Sequence, residues 1–210
     1  MEIREIYNAN TAEFSEAIKI YVDNFEANVR HPVELIIKRI HEERYRLFVG
    51  KQEKDIIVFA LVYRLNHPDF LLLDYYAVRE GYRDKGIGTE FLKKLFEILR
   101  LNKKEIYLIF EVEDPNFGDN HEERNRRVRF YKSLGVRQIK NMRYLFPPLF
   151  GNGHIDMILM SYPCPNREKV SREILTNLIK ELYIEKYNRD LSDPLLSETL
   201  STIPKKIRFK

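Results

Sequence analysis

Residues 71–89 fix the kind of fold available to this chain. Leu71–Val78 is an apolar run of β-forming residues, and from Thr89 onward Phe91, Leu92, Leu95, Phe96 and Leu99 recur at helical spacing. Between strand and helix lies a short basic turn, Arg83-x-x-Gly86-x-Gly88. Glycine lets backbone come close to a ligand because no Cβ intervenes. The first amides of a helix lack intrahelical partners and sit at the positive end of its dipole. The segment therefore predicts a strand–turn–helix unit whose turn cradles a phosphate or pyrophosphate.

Two familiar phosphate-binding patterns fail here. Gly81-x-x-x-x-Gly86 begins like a P-loop, but Ile87 and Gly88 occupy the places of the Lys-[Ser/Thr] pair. The dinucleotide fingerprint needs a third glycine where Phe91 stands. What remains, with Leu-Asp-Tyr-Tyr-Ala-Val before it and an amphipathic helix after it, resembles the acetyl-CoA-binding motif of the GNAT acetyltransferase superfamily. The competing reading is an ordinary strand–helix connection whose glycines serve only the turn. The resemblance implies that Ala77 and Val78 contact the pantetheine arm. It implies that the amides from Asp84 through Lys85, Gly86, Ile87 and Gly88 to Thr89 hold the pyrophosphate, with Arg83 and Lys85 adding positive charge.

Composition fits one sizeable core with an appendage. The chain has 210 residues, 44% of them hydrophobic and 32% charged. Its longest apolar run, Ile56–Tyr63, falls far short of the roughly 20 residues that span a bilayer. The charged start, Met1-Glu-Ile-Arg-Glu-Ile, lacks the apolar centre of a secretory signal. A single cysteine excludes an internal disulfide framework, and the expected compartment is the cytoplasm. A net charge of +4 suits an anionic ligand without marking a nucleic-acid binder.

Along the chain, Glu2–Tyr7 alternates as a first strand. Thr11 caps a helix marked by Phe14, Ile18, Tyr21, Val22 and Phe25. After His31-Pro32 a second helix, with Leu35, Ile36, Ile37 and Ile40 for burial, runs to about Arg44. Strands are expected at Tyr45–Gly50, Asp55–Arg64 and Phe70–Arg79. The cradle helix then extends to about Leu101, followed by a strand at Glu105–Val112, a basic helix at Glu122–Leu134, and strands near Arg137–Phe146 and Ile155–Tyr162. This order matches the GNAT fold over residues 2–162. The implied class is α/β (α+β), a central mixed and mostly antiparallel sheet of about six to seven strands flanked by helices on both faces. Residues 1–165 are expected as the acetyltransferase domain. Residues 166–210 are expected as an appended helix, capped by Asn166 and carrying Val170, Ile174, Leu178, Ile179 and Leu182, with a loosely docked basic tail from Asp190.

A second motif supports the same family. Phe130-Tyr131-x-x-x-Gly135-Val136 matches the end of the GNAT helix that follows the fifth strand, and Gly135 suits a left-handed cap. The family's asparagine and alanine earlier in this helix are replaced by Arg124 and Arg127. Val128, Tyr131 and Leu134 share a helical face, so Tyr131 reads locally as a half-buried core residue. The resemblance implies a catalytic role, protonation of the departing CoA thiolate, which a phenol with a reference pKa of about 10 can perform. The amide of Val78 is implied as a thioester or oxyanion contact. Asp74 and Glu111 are the candidate bases, with a structural group or an ammonium anchor as the alternative for each.

The five histidines are scattered without metal-ligand spacing, and no motif activates Cys164. Neither a metal nor a metal-bound cofactor is expected. The implied activity is acetyl transfer from acetyl-CoA to a primary amine of a small molecule or peptide, in a ternary complex. Its rival is a catalytically inactive CoA-binding sensor or interaction protein on the same fold. A nucleic-acid binder using Arg124–Arg129 and the Lys-rich tail ranks last, because those arginines read best as a solvated helix face. No membrane partner is expected. The Val170–Tyr187 helix is a candidate homodimer element.

Overall fold

The computed structural model describes residues 1–27, 29–99, 106–151, 153–163 and 170–210. Among the described residues the fold is mixed α/β, with eight strands, mostly antiparallel, flanked by helices. It divides into two compact units, residues 1–64 with 71–106 and residues 65–70 with 107–210.

The first unit is an antiparallel meander, β1 (Glu2–Ile6), β2 (Tyr45–Gln52), β3 (Asp55–Arg64) and β4 (Phe70–Val78). Every residue of β3 from Ile56 to Tyr63 is buried, so the longest apolar run in the sequence is a strand covered on both faces. Helix α1 (Ala12–Asn24) starts at Thr11, whose hydroxyl accepts from the Phe14 amide at 3.1 Å. Its buried stripe is Phe14, Ala17, Ile20 and Tyr21, while Val22 is 40% exposed. The expected stripe through Ile18 and Val22 is therefore rotated, because Tyr21 and Phe25 set the facing by packing edge-on against Tyr75 of β4. Helix α2 (Val33–His41) buries Ile36, Arg39 and Ile40. Helix α3 (Ile87–Ile98) buries Phe91, Leu92, Leu95 and Phe96, and Leu99 just beyond it is buried too. The expected ends of this helix and of the next strand, Leu101 and Glu105, lie outside the described residues.

In the second unit β8 (Ile155–Tyr162) carries β5 (Tyr107–Glu113) along one edge. Along the other it carries β6 (Arg137–Gln138) and β7 (Tyr144–Phe146) in succession, all antiparallel. The single strand expected over 137–146 is thus two short ones, which brings the count to eight. Helix α4 (His121–Ser133) ends as the sequence implies. Gly135 stands at φ +88°, its amide bonds to Lys132 O, and the Val136 amide reaches back to Tyr131 O.

The C-terminal segment departs from expectation in two ways. Asn166 lies outside the described residues, and helix α5 (Arg172–Glu181) is capped by Ser171, which accepts from the Ile174 amide at 3.1 Å. The helix runs on into a π turn, Leu182–Lys186. The tail is also not loose. Helix α6 (Pro194–Thr202), capped by Asp193, buries Leu196 and Thr199, and Ile203 and Ile207 beyond it are buried. Gln138 and Lys210 then exchange two backbone hydrogen bonds, at 3.0 and 2.8 Å. The apolar face of α5 (Leu175, Leu178, Ile179) is covered by its own chain. Among the described residues no helix is long and apolar enough to cross a membrane.

Candidate active site

The cradle is built by the end of β4, the turn after it and the start of α3. Asp84 at φ +60° and Gly86 at φ +77° put two left-handed residues into the turn, and Gly86 is the N-cap of α3. Its carbonyl takes the first helical bond, from Glu90 N at 3.0 Å. The amides of Ile87, Gly88 and Thr89 therefore precede the helical ladder and are available to an anion. A Cβ built on Gly86 meets nothing within 4 Å, so the protein does not crowd this position and the positive φ is what selects glycine.

Both turn cations are exposed and folded back. Arg83 donates to Val78 O at 3.3 Å and to Asn24 Oδ1 at 2.5 Å, and Lys85 Nζ donates to Gly81 O at 2.8 Å. Arg83 and Asn24, with Lys19, Asp23, Arg79 and Glu80, line an open cleft of about 440 Å³ between α1 and the turn. Nothing in the sequence reading pointed to Asn24.

Ala77 is buried and Val78 half-buried at the end of β4. Four residues earlier the ladder with β3 slips by one. Leu61 faces Tyr75 and Val62 faces Leu73, which leaves Asp74 as the extra residue of a β-bulge. Its carboxylate accepts from the Tyr45 hydroxyl. That hydroxyl also takes a bond from Arg39 Nη1 at 3.3 Å, and the buried guanidinium of Arg39 sits 5.5 Å from the rings of both Tyr45 and Tyr63. Burial, with the Asp74 charge next, pushes the Tyr45 phenol well up, so it stays a donor.

The remaining predicted groups belong to the second unit. Tyr131 is half-buried on α4, its ring centroid 5.0 Å from that of Phe110 on β5. Burial pushes its phenol up to about 12, with the nearby Arg127 charge opposing. Among the described residues its hydroxyl has no hydrogen-bond partner. Glu111 follows Phe110 in β5, and neighbouring strand residues project to opposite faces. Tyr131 and Glu111 therefore flank β5 from opposite sides. The Glu111 side chain is 6% exposed. Tyr144 of β7 donates to one carboxylate oxygen and Tyr187, just after the π turn, to the other, with Lys186 Nζ 3.8 Å away.

Tyr144, Lys186 and Tyr187 escaped the sequence reading, although one signal was present. Lys186 continues the row Leu178, Leu182, so a lysine stands where the apolar stripe asks for a hydrophobe.

Two of the arginines of α4, Arg124 and Arg127, are engaged with acids. Arg127 bonds Glu113 at 2.8 Å and Glu123 at 3.3 Å, and Arg124 lies 3.6 Å from Glu113. The tail cations Lys205, Lys206 and Arg208 are exposed beside Arg172 along a separate groove.

Comparison with known proteins places this geometry. The model of the acetyltransferase (GNAT) family matches residues 3–136. An uncharacterised protein of Dictyostelium discoideum is 28% identical over 112 residues, 52% of this chain. The match spans about a quarter of that relative's length, 25%. Among solved structures, a protein of Bacteroides thetaiotaomicron described as a GNAT-family acetyltransferase superposes with a TM-score of 0.75 at 19% identity. It covers 90% of this chain and all (100%) of its own. The ribosomal-protein-S18-alanine N-acetyltransferase of Escherichia coli gives 0.54 at 21% identity over 76% of this chain and 91% of its own. A GNAT-family acetyltransferase of Elizabethkingia anophelis with acetyl-CoA bound gives 0.52 at 20% identity, over 76% and 95%. These structures share the fold.

Proposed function

Since the chain belongs to the GNAT acetyltransferase family, we propose that it moves an acetyl group from acetyl-CoA to a primary amine of a small molecule or peptide, directly and within a ternary complex. The observation that carries this reading is the cradle. An exposed turn with two left-handed residues opens onto the free amides of α3, in the place where a family member holds the pyrophosphate. The Elizabethkingia neighbour, which holds acetyl-CoA on the same fold, supports the identity of the donor.

In this reading Ala77 and Val78 receive the pantetheine arm, and the amides from Asp84 to Thr89 receive the pyrophosphate. Arg83 and Lys85 exchange their present carbonyl partners for phosphate oxygens. The amine nitrogen adds to the thioester carbonyl, the new N–C bond forms, and the C–S bond breaks. A proton leaves the amine nitrogen and the CoA sulfur takes one up. Tyr131 supplies the second proton and recovers it from solvent.

Burial holds the phenol up at about 12, so it keeps a proton to give at neutral pH. We take Glu111 as the base, because two phenols and an ammonium hold its carboxylate in one place. Asp74 is the rival base. The reading places residues 1–165 as the transferase domain, 166–210 as its extension, and the protein in the cytoplasm.

The test begins with calorimetric titration of acetyl-CoA into wild type and Gly86→Trp. Micromolar binding lost in the variant supports the cradle. A screen of free amino acids, polyamines, sugar amines and peptides with free N-termini, followed by CoA release, then identifies the acceptor class. Acetyl-CoA binding with no release on any amine would favour the sensor reading, and no binding to folded wild type would remove both.

A further inference from the structure

The polar cluster around Glu111 is assembled from parts of the chain that lie far from it. The Tyr144 and Tyr187 hydroxyls donate to its two oxygens. Lys186 Nζ donates to the Tyr187 oxygen at 2.8 Å and stands 4.1 Å from the centroid of that ring. All three residues are buried, Lys186 to 2% exposure. A buried ammonium is costly unless paired and hydrogen-bonded, so the pairing with Glu111 and Tyr187 accounts for its presence in the core.

The chain is wound to make this possible. At Leu182–Lys186 the helix widens into a π turn, closed by the Tyr187 amide on Leu182 O at 3.0 Å. The insertion turns two consecutive residues, Lys186 and Tyr187, onto one carboxylate. Turns of this kind occur frequently at functional sites.

Several neighbouring groups have partners of their own. Leu159 of β8 pairs with it in the ladder, and Tyr183 in the π turn spends its hydroxyl on Leu145 O. Glu113, next on the same face of β5, is held by Arg124 and Arg127. Asp193 and Arg189 pair with each other at 2.7 Å.

Tyr144, Lys186 and Tyr187 all lie beyond Val136, where the family match ends. Resting on the transferase reading above, we propose that Lys186 and Tyr187 are positioning residues of the reaction. They hold the Glu111 carboxylate ionised and aimed, so that the segment following the family-matched region governs removal of the acceptor's proton. A carboxylate offers about four lone-pair sites. The two phenols occupy two of them.

The experiment uses the full-length chain as wild type, Lys186→Met, Lys186→Arg and Tyr187→Phe. Carbon-13 carboxyl titration, with Glu111→Gln to assign the signal, reads the grip without any turnover. The pH profile of kcat/KM on the best amine of the screen reads its use. Removing the cation weakens the ionised form, so in Lys186→Met the Glu111 midpoint and the acid limb of the profile should both rise by about one pH unit. At neutral pH kcat should fall about tenfold with acetyl-CoA affinity unchanged, and Lys186→Arg should recover most of the loss.

A midpoint that stays put, or one that moves while the acid limb does not, overturns the proposal. If Lys186→Met does not fold, Tyr187→Phe, which removes one donor and no charge, is read by the same two criteria. If wild type binds acetyl-CoA but acetylates no amine, the transferase reading fails by itself. The carboxyl titration then still decides whether Lys186 holds Glu111.

Discussion

The cradle after β4 and the Glu111 cluster on β5 solve opposite problems. The cradle is exposed and made of backbone, with two left-handed residues, unpaired helical amides and glycines that leave space. The cluster is buried and made of side chains, with two phenols, an ammonium and a carboxylate that satisfy one another. A backbone site costs little to keep open, because water serves its donors until a ligand arrives. A buried polar site must be complete at all times, because each missing partner leaves a group desolvated and unpaired. Edits to the cradle should therefore change binding and leave the fold intact, whereas edits around β5 should reach turnover, proton affinity and stability together.

The largest expected effect lies on the β5 side. Tyr131→Phe keeps the ring against Phe110 and removes only the hydroxyl. On the best amine kcat should drop by about 10²–10³, the range of a lost general acid, with acetyl-CoA affinity held within about twofold. A calorimetric loss of affinity in this variant would break the division between binding and chemistry.

Next comes the cradle itself. Gly86→Trp places a β-carbon at φ +77°, costing about 1–2 kcal/mol of backbone strain, and sets an indole over the proposed pyrophosphate cradle. Acetyl-CoA affinity should fall by about 100-fold or more, near 3 kcal/mol. The melting temperature should drop by only a few degrees, since a side chain built there meets no protein atom. A collapse of stability with affinity retained would show that the turn supports the fold rather than the ligand.

This contrast also explains what could be read from the sequence. Arg83-x-x-Gly86-x-Gly88 and the Gly135 cap are local devices, in which residue type and backbone conformation are coupled within a few positions. Their placement, with the element order, was legible. The partners of Glu111 stand 33, 75 and 76 residues away in sequence, at Tyr144, Lys186 and Tyr187, and no local pattern records such a meeting. The bulge at Asp74 was hidden in the same way, because Leu72, Leu73 and Tyr75 keep an apolar pattern through it. The tail was read as loose from its scattered apolar positions and basic end; Leu196, Ile203 and Ile207 keep helical spacing, but Pro204 stops the helix short of Ile207. They are buried from a helix and from the extended chain that follows it.

Titration offers a sharper test of the buried side. The Tyr131 phenol is raised by burial from an ordinary value near 10 to about 12. Below pH 10 folded and unfolded chains both keep this proton, and the group adds no pH dependence. Above pH 10 the unfolded chain loses the proton first, so stability falls as pH rises toward 12. At pH 11 the loss attributable to Tyr131 should be about 1.4 kcal/mol, read as the change with pH in the urea-stability gap between wild type and Tyr131→Phe. A gap equal at pH 8 and pH 11 would mean that the phenol is solvated, contrary to its place beside Phe110.

The smallest effect concerns how the C-terminal segment is held. Ser171 caps α5 through one hydrogen bond to the Ile174 amide, and Val170 before it and Leu175 after it are both buried, as in a hydrophobic staple. Ser171→Ala should cost about 1 kcal/mol, the usual worth of such a cap. Where that cost appears decides the nature of the extension. If α5 and the π turn unfold with the sheet they cover, the melt stays a single transition displaced to lower urea, and hydrogen exchange at Leu178 and Leu182 rises no faster than at Leu159 in β8. If the segment opens by itself, exchange at Leu178 and Leu182 rises about fivefold, the equivalent of 1 kcal/mol, while Leu159 stays protected. Burial of Leu175, Leu178, Ile179, Leu182 and Tyr183 leads us to expect the first outcome. The second would mean that Lys186 and Tyr187 leave Glu111 more readily than the rest of the unit unfolds.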